Sequence, residues 1–380
     1  MKIVIDDKIP FIKGVFEPYA EVVYLSGAKI ISDDVFDADA LIVRTRTNCD
    51  EALLKGSSVK FIATATIGYD HIDAKWCEAS GIEWTNAPGC NSGSVQQYMA
   101  SVFATLSMQY GFNFDEMTLG VVGVGNVGRK VVKLGEALGM TVLMNDPPRA
   151  EKEGHAQFVP LDEILSMSDI ITLHVPLKNI GSHRTYHLFD KYTFDYMRRS
   201  TILINSSRGE VVDNMDLKNA LINKIIGGAS LDVWENEPDI DTELLRLLNI
   251  ATPHIAGYSV NGKANGTAMS VQAVSRFFGL PLAKWRPPEI PCPAQPLIFE
   301  LDCTGKSVQQ CINEAIWYTY PVNDDDGRLR ASPATFENQR SEYPVRREFA
   351  DFTIDIKNAT QEIENRLHKF GFQIIMNNNQ

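Results

Sequence analysis

Short apolar runs rich in β-branched residues alternate along the chain with longer amphipathic stretches, the pattern of strand–helix–strand units feeding parallel sheets. A first set of runs, at 2–5, 21–25, 40–44, 60–63 and 82–85, predicts a small doubly wound domain. A second set, at 119–122, 142–145, 170–174, 202–205 and 229–232, predicts another parallel sheet with helices between its strands. Between the two sets, Ser94 caps a predicted helix that runs through Val95, Met99, Val102, Phe103 and Leu106 to about Tyr110, where Gly111 breaks it. That helix reads as a connector. After His254 a helix is expected around 266–278, followed by a proline-dense stretch at 285–293 that favours an extended linker. The remaining segments are too many for a tail and predict a third, smaller α+β domain. The expected boundaries are 1–93 with 259–285, then 94–258, then 286–380, with the Asn-rich 377–380 disordered.

Length and charge narrow the functional classes. With 380 residues, 44% of them hydrophobic, the chain has apolar material for more than one core. Its 48 acidic and 36 basic residues give a net charge of −12, which repels phosphate backbones and anionic lipid, so neither nucleic acid nor membrane is an expected partner. No apolar run approaches the roughly 18 to 20 residues of a spanning helix, and Asp6 and Asp7 interrupt the N-terminus before a signal-peptide core forms. A soluble, unprocessed, cytoplasmic protein is expected. The six cysteines are scattered and read as reduced thiols, Cys90 as a small packed residue rather than a reactive one. His183 and His187, four apart, lack a carboxylate or thiolate pattern and read as solvated; no metal is expected.

The most specific local signal is Gly123-Val124-Gly125-Asn126-Val127-Gly128, which follows the run 119–122 and opens an amphipathic helix through Val131, Val132, Leu134 and Leu138. Gly123 permits a tight turn, Gly125 lets the backbone approach a pyrophosphate, and Gly128 lets helix and strand pack closely, while the amides near Asn126 and Val127 face the anion. Downstream, Asp146 ends the next run, where a carboxylate accepts bonds from ribose hydroxyls and repels a 2′-phosphate. NAD is therefore expected over NADP, with Arg149 close enough to offset part of that repulsion.

Three further residues follow strand-like runs. Arg208 comes after 202–205, Glu237 lies in the segment 232–238, and His254 in 252–258. Oxidising a hydroxyl-bearing carbon needs a base, a carboxylate anchor and control over the base, and a strand's carboxyl end is where such groups converge in open parallel sheets. Singly, each has a plain structural reading. Together, in this order after this glycine loop, the three segments resemble the D-isomer-specific 2-hydroxyacid dehydrogenase family. The segments 40–47, 66–73 and 86–91 are similar to that family's substrate-domain loops. The resemblance implies a flavodoxin-like substrate domain, a Rossmann NAD domain, and Arg208, Glu237 and His254 as carboxylate anchor, tuning acid and acid/base. It also implies cofactor contacts at His174, Ser206, Ser207, Arg208, Asp232 and Gly257. Ser206 departs from the family, where alanine is expected.

The resemblance also implies a small phosphorylated 2-hydroxy acid as substrate, which the basic residues of an otherwise acidic chain suit. Arg44 and Arg46 flank Thr45 at a strand end, and Arg346 and Arg347 form a second pair; either pair suits a phosphate. Thr66, Gly68 and Tyr258 complete the expected substrate contacts. By resemblance, the C-terminal domain 286–380, which carries the segment 343–349, makes a homodimer. Alternatives stay open at this point: a dehydrogenase for another small 2-hydroxy acid such as 3-phosphoglycerate, or a non-enzymatic, NADH-sensing corepressor-like protein.

Overall fold

The apolar runs form fourteen strands in three all-parallel sheets, described by a computed structural model over residues 1–376; the 377–380 tail lies outside the described residues. The chain divides into two compact units, Met1–Asn91 with Ser259–Pro291, and Ser92–Tyr258 with Cys292–Gln380.

In the first unit, β1 (Lys2–Asp6), β2 (Glu21–Leu25), β3 (Ala40–Val43), β4 (Phe61–Thr64) and β5 (Glu83–Thr85) pair in the order β2-β1-β3-β4-β5. This is the flavodoxin-like order. The central strands β3 and β4 are buried throughout, as their uninterrupted apolar runs require when both faces are covered. Val271 and Val274 of helix Val260–Phe278 share one core with Ile3, Ile42 and Phe61. The helix starts six residues before the expected 266 because the Ser259 hydroxyl caps it, accepting from the Gly262 amide at 2.8 Å.

The second unit holds β6 (Thr118–Val122), β7 (Thr141–Asn145), β8 (Ile170–Leu173), β9 (Ile202–Asn205), β10 (Gly228–Leu231) and β11 (Ile250–Ala251), in the order β11-β10-β9-β8-β6-β7. The chain leaves β6 for β7 on one side and returns to β8 on the other. Such a reversal opens a crevice at the carboxyl ends of the strands on either side of it, here β6 and β8. Two residues carry no readable period, so β11 escaped the pattern reading.

The same unit contains a smaller sheet, β12 (Ile298–Asp302), β13 (Thr353–Lys357) and β14 (Gln373–Met376), in that order. Its residues do not form a separate bead on the proline-rich stretch: Cys311, Ile316 and Phe352 lie in one continuous core with Phe103, Leu106 and Leu134. Helix Ser92–Tyr110 is the pillar of that core and is buried on nearly every side, not on one stripe. Its polar side chains make this possible by bonding to C-terminal groups. Gln97 Nε2 donates to the Arg347 carbonyl at 2.9 Å, and Ser101 Oγ to the Tyr320 carbonyl at 2.7 Å. Ser94 therefore does not cap the helix, which begins at Ser92; its hydroxyl donates to the Ala256 carbonyl at 2.9 Å.

Candidate active site

The glycine loop sits at the crevice between β6 and β8. Gly123 adopts φ +86°, and a Cβ there would come within 2.6 Å of the His174 carbonyl, so only glycine lets the β6 and β8 ends lie this close. A Cβ at Gly128 would meet the Gly123 carbonyl at 2.0 Å, which locks helix Gly128–Leu138 against the turn. At Gly125 a Cβ would meet nothing within 4 Å, and Gly125 and Asn126 are exposed. The first-turn amides therefore border open space, as a pyrophosphate needs.

Asp146 follows β7 and shapes this loop: its carboxylate accepts from the Val124 amide at 2.8 Å and the Arg149 amide at 3.1 Å. Arg149 is committed elsewhere. Its Nη1 donates to the Val124 carbonyl at 2.7 Å and its Nε to Glu153 at 2.8 Å, so it is not aimed at a ribose phosphate. These residues fit a dinucleotide with an unmodified adenosine ribose. His174 keeps partial surface, yet packing around its ring pushes it down to about 3, so the neutral imidazole shares a hydrogen bond with Thr172 Oγ1 at 3.0 Å.

Arg208, Glu237 and His254 all lie on loops that leave the carboxyl ends of neighbouring strands β9, β10 and β11. His254 Nδ1 is 2.7 Å from Glu237 Oε2, and Glu237 Oε1 accepts the Trp234 amide at 2.9 Å. Burial raises the Glu237 carboxyl, but the His254 hydrogen bond and charge, the Trp234 amide and the Arg340 charge outweigh it and hold the group below the ordinary carboxylate range. Glu237 is thus an anion built to accept the Nδ1 proton. The other ring nitrogen remains for substrate, and 33% of the His254 side chain is accessible.

His254 has φ +56°, a left-handed conformation that costs a non-glycine residue of order 1 kcal/mol or more unless its surroundings impose it. Asp232 imposes it. The Asp232 carbonyl accepts from the His254 amide at 2.7 Å, and the buried carboxylate accepts from Ile255 and Ala256 amides at 2.7 and 2.9 Å and from Thr252 Oγ1 at 2.7 Å. From the other side Arg346, 4% exposed, donates from Nη2 to the Ala256 carbonyl at 2.6 Å and to Ser94 Oγ at 2.5 Å. A loop that carries a strained histidine is thereby held through the carboxylate below it and the guanidinium beside it.

These placements change several expectations. The Asp232 carboxylate is a scaffold for the His254 loop, a task the cofactor reading did not foresee. Arg346 is spent on that loop and Arg347, 9% exposed, pairs with Asp351 at 2.7 Å, so neither is aimed at a phosphate. His187 is not solvated but sits between Glu235 at 2.7 Å and Asp213 at 3.2 Å, and His183 lies 3.3 Å from Glu151. Ser206 Oγ approaches Met99 Sδ at 3.9 Å, and Ser207 Oγ donates to Asn205 Oδ1 at 2.8 Å, which places the extra hydroxyl against the pillar helix. Asn205 also donates to the Arg208 carbonyl at 2.8 Å and so sets the turn that carries Arg208. Gly257 and Tyr258 follow on the His254 loop, both half-buried. Cys90 is buried.

In the first unit, Arg44 donates to the Lys8 carbonyl at 3.2 Å, while Thr45 and Arg46 are exposed just after β3. Thr66 Oγ1 donates to the Gly68 carbonyl at 2.9 Å, fixing the turn after β4. Among the described residues no helix is long and apolar enough to cross a membrane.

Comparison with known proteins agrees with this geometry. The D-isomer specific 2-hydroxyacid dehydrogenase, NAD binding domain family matches residues 93–256, and residues 294–371 match a domain of unknown function (DUF3410). The chain is 49% identical to an erythronate-4-phosphate dehydrogenase of Bacteroides thetaiotaomicron over 93% of this chain and 99% of that one. It is 38% identical to an erythronate-4-phosphate dehydrogenase of Escherichia coli over 99% of both. Among solved structures, D-lactate dehydrogenase from Aquifex aeolicus, complexed with NAD and lactic acid, superposes with a TM-score of 0.60 at 26% identity, covering 73% of this chain and 96% of that one. An NAD-dependent formate dehydrogenase from Staphylococcus aureus shares the fold, with a TM-score of 0.58 at 24% identity over 73% of this chain and 96% of its own. A glycine crevice with an acid at the end of the next strand and a His–Glu pair on neighbouring strand ends thus coincide with full-length likeness, and the chain belongs to the NAD-dependent erythronate-4-phosphate dehydrogenases, within the D-isomer-specific 2-hydroxyacid dehydrogenases.

Proposed function

We propose that the protein oxidises 4-phospho-D-erythronate at its C2 hydroxyl to 2-oxo-3-hydroxy-4-phosphobutanoate, a step in pyridoxal 5′-phosphate biosynthesis. The observation that carries this reading is the 2.7 Å contact of His254 Nδ1 with an anionic Glu237, which leaves Nε2 as the acceptor. The chemistry that bound NAD would supply is a hydride acceptor for C2. His254 Nε2 takes the hydroxyl proton as the C2–O bond gains double-bond character, and Glu237 stabilises the resulting imidazolium. Arg208 binds the C1 carboxylate, a planar anion suited to its fork. Asp146 would hold the ribose hydroxyls, and the amides near Asn126 and Val127 would hold the pyrophosphate.

Arg44, Thr45, Arg46, Thr66, Gly68 and Tyr258 are the substrate-binding candidates; His174, Ser206, Ser207 and Gly257 are those for the cofactor. The protein acts in the cytoplasm as a homodimer. Removing the C-terminal segment is a poor test of that dimer, since its apolar residues complete the core around helix Ser92–Tyr110. Light scattering of the full chain is the direct one, and a monomer at micromolar concentration refutes it. The activity is tested by following NADH formation with 4-phosphoerythronate, 3-phosphoglycerate, erythronate and D-lactate. A kcat/KM for 4-phosphoerythronate no higher than for the other three overturns the substrate assignment.

A further inference from the structure

The C-terminal segment brings a cation to the catalytic loop that the sequence pattern did not single out. Arg340 lies on the short helix Phe336–Ser341, and its guanidinium stands 5.8 Å from the Tyr258 ring centroid, four residues beyond His254. One arm is engaged: Nη1 donates to Glu337 at 2.7 Å. Its Nε is buried with no acceptor. A buried N–H without a partner is costly, and a donor of a charged group more so, which marks a place where an acceptor is expected to arrive. The charge is also felt in the site, since it helps hold the Glu237 carboxyl below its ordinary range.

The second observation comes from the solved relatives. D-lactate dehydrogenase from Aquifex aeolicus is matched over 96% of its length but accounts for only 73% of this chain, and the surplus is about the size of the C-terminal segment that carries Arg340. Lactic acid, bound in that structure, has one anionic group. A phosphorylated 2-hydroxy acid has a carboxylate at one end and a phosphate at the other, so it needs a second cation.

We propose that Arg340 is a substrate-binding residue that recognises the phosphate at the end of the substrate remote from Arg208, and that the C-terminal segment thereby sets selectivity for a phosphorylated acid. The proposal rests on the functional reading above. The phosphate accepts from Nε and one terminal nitrogen of Arg340, a bidentate geometry that lysine does not reproduce. Tyr258 supports the guanidinium plane through its ring face.

The test compares the full-length protein with its Arg340→Ala and Arg340→Lys variants, each shown to be folded by NADH fluorescence titration. The readout is the ratio of kcat/KM for 4-phosphoerythronate to that for erythronate, together with inhibition by inorganic phosphate. Loss of a charge-assisted bond predicts that Arg340→Ala lowers this ratio by about 10- to 100-fold, mainly through KM for the phosphorylated acid, and weakens phosphate inhibition by a similar factor. Arg340→Lys falls between. A ratio within threefold of the original overturns the proposal, whether both substrates lose activity together, as an effect through Glu237 alone requires, or neither does. If the unaltered protein does not oxidise 4-phosphoerythronate, the functional reading falls separately. Phosphate inhibition against whichever 2-hydroxy acid it does oxidise then decides the role of Arg340: weakened inhibition in Arg340→Ala supports it and unchanged inhibition overturns it.

Discussion

Adding one methyl group at Gly209 should uncouple Arg208 from the Glu237 loop. A Cβ at Gly209 would lie 2.0 Å from the Trp234 carbonyl oxygen, 2.1 Å from its carbon and 2.7 Å from the Glu235 nitrogen. All three are backbone atoms, so no side chain can turn aside. To reach even 3.0 Å, the shortest separation real Cβ atoms tolerate, the two loops must part by about 1 Å. The Trp234 amide holds Glu237 Oε1, and the Trp234 indole donates to the Thr252 carbonyl at 3.0 Å. The displacement therefore moves the acid and the approach to His254 away from the Arg208 turn. A misplacement of about 1 Å in a reacting constellation costs on the order of 10²-fold in rate, and overpacking of this kind costs about 1–3 kcal/mol in stability. The assay is kcat/KM for 4-phosphoerythronate by NADH absorbance, with urea unfolding and NADH fluorescence reporting fold and cofactor binding. Gly327→Ala, where a Cβ meets nothing within 4 Å on helix Val322–Ala331, is the matched control and should be stabilising by about 0.5–1 kcal/mol. If Gly209→Ala keeps kcat/KM within threefold of the original protein, the reasoning that this close approach sets the catalytic geometry is wrong.

His254→Ala, folded by the same criteria, should lose about 10²- to 10⁴-fold in turnover, because the proton acceptor is gone; near-normal turnover sinks the mechanism. Glu237→Gln should lose less, since the ring keeps its proton acceptor and loses only the charge that stabilises imidazolium; a loss as large as that of His254→Ala contradicts these roles. Because the folded-state value of Glu237 lies below its unfolded one, its ionised form stabilises the fold above about pH 4.3 and that contribution is lost as pH falls through the folded value. The urea stability gap between the original protein and Glu237→Gln should accordingly narrow on the acid side, and a gap independent of pH argues against it. Asp146→Ala should weaken NAD more than NADP and so narrow the preference between them; equal use of both by the unaltered protein refutes the ribose assignment. Arg346→Met leaves the buried Ala256 carbonyl and Ser94 hydroxyl without their charged donor and should destabilise by about 1–3 kcal/mol in urea unfolding; a loss under about 0.5 kcal/mol shows that the clamp on the His254 loop is dispensable.

Much of the molecule was readable from local order along the chain. Uninterrupted β-branched runs such as Ala40–Val43 and Ile202–Asn205 report strands covered on both faces, and the glycines at 123 and 128 mark a tight turn after β6, where backbone atoms of His174 and Gly123 occupy the space of a side chain. Arg208, Glu237 and His254 were singled out by the likeness of their segments to a known family, since each alone has a plain structural reading; their place after neighbouring strand ends is what the fold adds. What the linear pattern does not carry is which polar groups are removed from water together. Ser94 read as the cap of a connector helix, yet it lies with Gln97 and Ser101 inside a common core, where the Ala256, Arg347 and Tyr320 carbonyls and Arg346 satisfy them. Asp232 read as a cofactor ligand, Arg346 as a phosphate ligand, and Arg340 as nothing in particular. The partners that assign their tasks are 20 to more than 200 residues away in sequence, and only the folded chain decides whether a charge is spent on a loop or kept for a substrate.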